Sequence, residues 1–393
     1  MRVPLLDLKP QNLALEPELK SAFERVLASG QFILGPEVEA FERRVAEVTG
    51  TRHAIGVSSG TDAILLALMA LGIQAGDEVL CPSFTFFATA GCIARVGATP
   101  IFVDSCPVCF NLDVADARRR ITPRTKAIIP VHLFGQTADM DAVLELARGH
   151  NLRVIEDAAQ ALGSAYRGKP AGSMGDFGTF SFFPSKNLGG FGDSGLLSTN
   201  DDELAERARV LRNHGSNPKY FHKLVGGNFR MDPLQAALLA VKLGRLKEYS
   251  ARRRANAAYY SERLGALPGA AVSAVDGSAE PDWNAHGVRL LLPSACAHNE
   301  HIWNQYTLRA LGGLRDALRE YLTAREIGTE IYYPVPLHLQ ECFLSGSAPP
   351  PSLPACEKLA SECLSLPIYP DLSRPQQDAV VEAVAGFLEQ QPA

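Results

Sequence analysis

No stretch of this 393-residue chain is apolar for long enough to span a bilayer, and the longest candidate, Ala63 to Leu71, reads as a buried helix. The opening residues Met1-Arg2-Val3-Pro4-Leu5-Leu6-Asp7 lack the extended apolar core of a secretory signal. A formal net charge of -5 leaves no basic surplus for nucleic acid or an anionic membrane surface. No G-x-G-x-x-G follows the first apolar strand, which argues against a dinucleotide-binding dehydrogenase. Zinc-site spacing is missing too: Cys106-Pro107-Val108-Cys109 is a lone C-x-x-C, so no metal is expected. The cysteines sit in apolar surroundings such as Leu80-Cys81-Pro82 and Gly91-Cys92-Ile93, which predicts reduced, buried thiols and a cytoplasmic protein.

What is present is the composition of an ordinary globular enzyme, 46% hydrophobic and 21% charged. Short apolar runs alternate with helical stretches between about residue 50 and residue 200. His53–Val57, Glu78–Cys81, Pro100–Asp104, Lys126–Val131 and Leu152–Glu156 read as strands. Thr61–Leu71, Thr85–Val96 and Met140–Arg148 read as helices between them. Strands joined by helical crossovers predict a mostly parallel sheet covered on both faces, a doubly wound α/β fold. Gly178–Phe182 and Gly195–Thr199 lie close enough in sequence for an antiparallel pair. One long helical segment is predicted from Pro233 to Leu264, then a weaker unit with strands near Arg289–Leu292 and Glu330–Tyr333. Ser345 to Pro354, rich in Ser and Pro, reads as a surface loop. Residues 1–243 are expected to form a large domain and 244–393 a smaller C-terminal α+β domain.

The chemistry concentrates in Phe180-Ser181-Phe182-Phe183-Pro184-Ser185-Lys186-Asn187-Leu188-Gly189-Gly190 and in the strand ending Glu156-Asp157-Ala158-Ala159-Gln160. An apolar strand delivering an Asp, with a Ser and a Lys in a glycine-bounded turn, suits pyridoxal phosphate: Asp157 for the pyridinium nitrogen, Lys186 for the Schiff base. A surface lysine is the default reading of Lys186, but Gly189, Gly190 and Gly192 fit close backbone approach to a ligand. Val57-Ser58-Ser59-Gly60-Thr61-Asp62 ends a strand and opens a helix, where backbone N–H groups can face a phosphate. The same residues also suit an ordinary N-cap. Ser181 is placed to donate to that phosphate, Gln160 to meet a ring hydroxyl, and one of Phe84, Phe86 and Phe87 to stack on a flat ring. His132 and His214 are of a kind more often structural than catalytic and are given no role.

Taken in order, these segments resemble the DegT/DnrJ/EryC1/StrS family of pyridoxal phosphate-dependent nucleotide-sugar aminotransferases. Further stretches carry the resemblance: Gly35–Glu42, Gly76–Val79, Pro82–Phe86, Gly226–Asp232, Tyr333–His338 and Ser365–Pro367. The resemblance implies the fold type I scaffold of aspartate aminotransferase, with Lys186 as Schiff-base lysine and Asp157 as pyridinium partner. It also places Gln160 at the ring hydroxyl, Phe86 on the ring, and Gly60, Thr61 and Ser181 on the phosphate. Asn228 matches a position reaching the neighbouring subunit's cofactor, which implies a homodimer with shared active sites. Arg230, Tyr332, Tyr333 and His338 match a region near the sugar nucleotide. Some uronic-acid-acting relatives carry His where this chain has Tyr332. The implied reaction moves nitrogen from an amino acid, glutamate by expectation, to C3 or C4 of a keto-sugar nucleotide. The products would be amino sugars of antibiotics, lipopolysaccharide or surface glycans. Two rivals remain: a pyridoxal phosphate-dependent sugar dehydratase or lyase, disfavoured because Lys186 is not His, and a non-catalytic regulatory protein on the same fold.

Overall fold

The computed structural model describes residues 1–273, 283–344 and 349–391. Seven strands form the main sheet: β1 (His53–Val57), β2 (Glu78–Pro82), β3 (Thr99–Val103), β4 (Thr125–Ile128), β5 (Arg153–Asp157), β6 (Phe177–Ser181) and β7 (Gly195–Thr199). Their order is β1-β7-β6-β5-β4-β2-β3, and only β7 runs against its neighbours. The expected antiparallel pair is present, with Ser181 opposite Gly195 and Thr179 opposite Leu197. Its central strands are nearly continuous apolar runs because helices cover both faces. Helix α1 (Gly60–Ala70) is buried on every side, and Ser59 caps it by accepting from the Asp62 N–H at 3.0 Å.

Parallel strands bring their carboxyl ends to one edge. There the turns after β1, β2, β5 and β6 lie side by side, where open α/β sheets place ligands. Helix α2 (Ala88–Arg95) begins at that edge, after Ser83–Phe87.

The expected helix from Pro233 to Leu264 is two helices, α3 (Pro233–Leu243) and α4 (Leu246–Gly265). Gly244, a poor helix former, sits at the break, and the two helices serve different cores. Leu239 packs with Phe180, Phe182 and Leu188, whereas Tyr260 and Leu264 pack with Leu290, Leu308 and Val384. This second core surrounds a four-stranded sheet, β8 (Ala270–Val272), β9 (Leu290–Leu292), β10 (Tyr306–Ala310) and β11 (Cys363–Leu366). Val3 joins it, bridged to Ile327. The strand expected near Glu330–Tyr333 does not form: only Glu330 pairs, with Ser365, and Pro334 and Pro336 follow without N–H donors. Of the loop expected from Ser345 to Pro354, residues 345–348 lie outside the described residues, and Pro354 opens a helix, Pro354–Glu362.

Candidate active site

Asp157 ends β5 at the carboxyl edge and is 4% exposed. Thr89 on α2 donates its hydroxyl to Asp157 Oδ2 at 2.8 Å, and the Ala159 N–H donates to Oδ1 at 3.2 Å. Hydrogen bonds to a charged group contribute about 1.5–3 kcal/mol each, while burying a lone carboxylate costs several kcal/mol. Desolvation therefore wins, and the Asp157 pKa stands above the ordinary aspartate value despite those bonds and the nearby Lys186 charge. Among the described residues no cation forms an ion pair with this carboxylate; a protonated ring nitrogen is the kind of partner it would take.

Lys186 lies in the turn between β6 and β7. The turn is closed by Phe182 N–H to Ser194 O at 2.8 Å, Gly190 N–H to Phe182 O at 2.7 Å, and Lys186 N–H to Phe183 O at 2.9 Å. Burial pulls the Lys186 amine down from the ordinary lysine pKa to about 8, against the opposing pull of Asp157. Near neutral pH a useful fraction of the amine is thus free to attack a carbonyl.

Gln160 is buried rather than solvated. Its Oε1 accepts from the Phe134 N–H at 2.7 Å, and its Nε2 donates to the Tyr333 hydroxyl at 3.1 Å. One amide hydrogen remains for a ring oxygen. Tyr333 lies edge-on to the buried Phe84 and tilted against Phe86, each at 6.2 Å between centroids. Phe86 is 56% exposed, an aromatic face open at the mouth of the site, whereas Phe84 is core and Phe87 packs on Phe343.

Gly60 and Ser181 touch where α1 begins. A Cβ at Gly60 would lie 2.7 Å from Ser181 Cβ, so only glycine lets the first turn of α1 approach the end of β6. Thr61 follows, and its carbonyl accepts from the Cys92 thiol. The hydroxyl of Ser181, the first N–H groups of α1 and the helix dipole together form an anion site of the right chemistry for a phosphate ester.

The segment carrying Asn228 and Arg230 passes the end of β1, with the Ser58 N–H donating to Phe229 O at 3.0 Å. Asn228 is exposed, and Arg230 donates to Asn213 Oδ1 at 2.8 Å. Tyr332 packs partly buried against Tyr333. His338, expected near the sugar nucleotide, is 1% exposed: its Nδ1 shares a 2.7 Å hydrogen bond with Ser83, and Nε2 faces Glu357 at 3.4 Å. With both nitrogens engaged, it holds the turn after β2 from beneath. His132, given no role from sequence, is paired with Glu156 at 2.9 Å in full burial. Thr89 was missed by sequence reasoning; the available signal was a lone hydroxyl inside the apolar run Ala88–Ile93. A groove of about 770 Å³ lined by Arg52, Arg148 and Asp176 lies at the opposite edge of the sheet and holds none of these residues.

Among the described residues no helix is long and apolar enough to cross a membrane, and no cluster of three or more His, Cys, Asp or Glu could hold a metal ion. A family model for the DegT/DnrJ/EryC1/StrS aminotransferase family matches residues 14–385. The chain is 47% identical to a "Pleiotropic regulatory protein" of Geobacillus stearothermophilus, over 98% of this chain and 99% of that protein. It is 45% identical to a dTDP-3-amino-3,4,6-trideoxy-alpha-D-glucose transaminase of Streptomyces venezuelae, over 99% of this chain and 97% of that protein. The crystal structure of S. venezuelae DesV in complex with a ketimine intermediate superposes with a TM-score of 0.91, at 44% identity and 100% coverage of both chains.

Proposed function

The chain belongs to the DegT/DnrJ/EryC1/StrS aminotransferase family, and on that premise we propose that it transfers an amino group from an amino acid, L-glutamate, to a keto-sugar nucleotide, using pyridoxal phosphate. Its architecture is the fold type I of pyridoxal phosphate-dependent transferases. The observation that carries the proposal is the meeting of two groups at the carboxyl edge of the sheet: a desolvated Lys186 amine, and a buried Asp157 carboxylate with no ion-paired cation among the described residues.

When bound, pyridoxal phosphate would supply an aldehyde and a ring that accepts electron density from the substrate carbon. Asp157 would hold a proton on the ring nitrogen, and Gln160 would donate to the ring hydroxyl. Phe86 would cover one ring face and exclude water from it. Gly60, Thr61 and Ser181 would hold the phosphate. The Lys186 amine would serve as general base and acid, taking the proton from the donor's Cα.

For the acceptor we favour a 3-keto hexose over a 4-keto one, because a relative at 45% identity is named for a 3-amino sugar. Arg230, Tyr332 and Tyr333 lie beside the site and are proposed to face the sugar nucleotide. Exposed Asn228 is proposed to reach the cofactor of a second copy, making the working unit a homodimer. The intact Lys186 and Asp157 pair also argues against a purely regulatory protein, which needs neither.

The test is a half-reaction. Protein loaded with pyridoxal phosphate and given L-glutamate alone should release 2-oxoglutarate in stoichiometric amount and convert the cofactor to its amino form. Loss of water from a keto-sugar nucleotide, with no such conversion, would favour the dehydratase instead.

A further inference from the structure

We propose that Lys242 is a positioning residue for the turn that carries Lys186, fixing that turn through the carbonyl of Gly189. The inference deepens the functional reading above and rests on Lys186 being its reactive amine. Lys242 lies in the last turn of α3 and is 2% exposed. Its Nζ donates to Gly189 O at 2.5 Å and stands 5.3 Å from the centroid of Phe191. Lysines ordinarily reach water with the ammonium while burying only the stem; this one does the reverse.

A stability role alone does not explain it. Burying an ammonium costs more than one hydrogen bond to a neutral carbonyl and one ring contact return, and a methionine would fill the same space. Burial has lowered the Lys242 pKa to about 8 for the same reason. What the ammonium adds is direction. The far half of the turn is tied to other segments: Asn187 Nδ2 donates to Ile302 O at 3.2 Å, the Phe191 N–H donates to Gln235 Oε1 at 3.0 Å, and Lys242 donates to Gly189 O. Gln235 and Lys242 stand on one helix seven residues apart, on the same face. The turn is also closed tightly, since a Cβ at Gly189 would lie 2.1 Å from Pro184 O and one at Gly190 would lie 2.9 Å from Gln235 Oε1. The tethers at Asn187, Gly189 and Phe191 thus all lie just beyond Lys186 in the chain and fix that side of the turn that carries its amine.

The experiment reads Lys186 directly, without cofactor. The full chain is labelled with acetic anhydride across a pH series, and modification of Lys186 is followed by peptide mass spectrometry. In Lys242→Met the Lys186 profile should move up by one pH unit or more, about a tenfold lower labelling rate at pH 7, because a loosened turn lets water reach the amine. Far-UV circular dichroism establishes that the variant is folded. Should Lys242→Met not fold, Gln235→Ala removes the neighbouring tether and should move the profile in the same direction by a smaller step. An unchanged Lys186 profile in the folded variant overturns the proposal. Failure of the functional reading shows separately, as wild-type protein that takes no pyridoxal phosphate onto Lys186 while its labelling profile still responds to Lys242→Met.

Discussion

Gly60 and Ser181 meet so closely that a methyl group on the first would lie 2.7 Å from the Cβ of the second and 3.2 Å from its Oγ. The contact joins the start of α1 to the end of β6, two elements 121 positions apart, and sets the space left for a phosphate. Gly60→Ala should therefore push Ser181 aside at a cost of about 1–3 kcal/mol. Spectroscopic titration with pyridoxal phosphate should give a tenfold or greater loss of affinity. Equal affinity in the variant would mean that the phosphate sits elsewhere.

Asp157→Asn keeps the hydrogen bond from Thr89 and removes the charge. Cofactor binding should persist, while the single-turnover rate with glutamate should fall by about 10²–10³-fold, the scale of losing one preorganised electrostatic partner. Stopped-flow absorbance checks this, and a fall below threefold would remove Asp157 from the role.

Lys186 has a folded-state pKa lowered to about 8 from the ordinary 10.5. Between those values the unfolded chain holds a proton that the folded chain has released, so unfolding free energy rises with pH across that window. Buried thiols such as Cys81 and Cys363, held above their ordinary value, pull the other way as pH rises, so the readout is the difference between wild type and Lys186→Met in urea titrations without cofactor. That difference in unfolding free energy should grow in favour of wild type from pH 8 toward 10.5. Parallel slopes in the two proteins would contradict the desolvated amine.

Glu156 precedes Asp157 but faces the opposite side of β5. It accepts from His132 and from the N–H groups of Gly172, Met174 and Gly175 at 2.6–2.9 Å, the first two in full burial and the last two in partial burial. Glu156→Ala should leave those donors unpaired and destabilise the protein by about 3 kcal/mol or more. The shift in urea midpoint measures it, and a loss under 1 kcal/mol would show the cluster to be dispensable.

The strand and helix alternation that builds the main sheet was legible because its periodicities are local, and the antiparallel pair of β6 and β7 was legible from spacing alone. Asp157 stood out because it closes an apolar run where a strand ends, and Lys186 because it lies in a glycine-bounded turn after a Ser. What was hidden depends on contacts distant in sequence. Thr89 reaches Asp157 across 68 positions, and Tyr333 reaches Gln160 across 173. The burial of His338 depends on Ser83, 255 positions away. The break at Gly244 was lost because residues on both sides have strong helix propensity, and only the division between two cores requires a change of direction.

The central claim is that the amine of Lys186 carries the cofactor. Protein incubated with pyridoxal phosphate, reduced with borohydride and digested, is analysed by peptide mass spectrometry. The account predicts a stable pyridoxyl adduct on Lys186, absent from Lys186→Ala; an adduct confined to other lysines, or none at all, would contradict it.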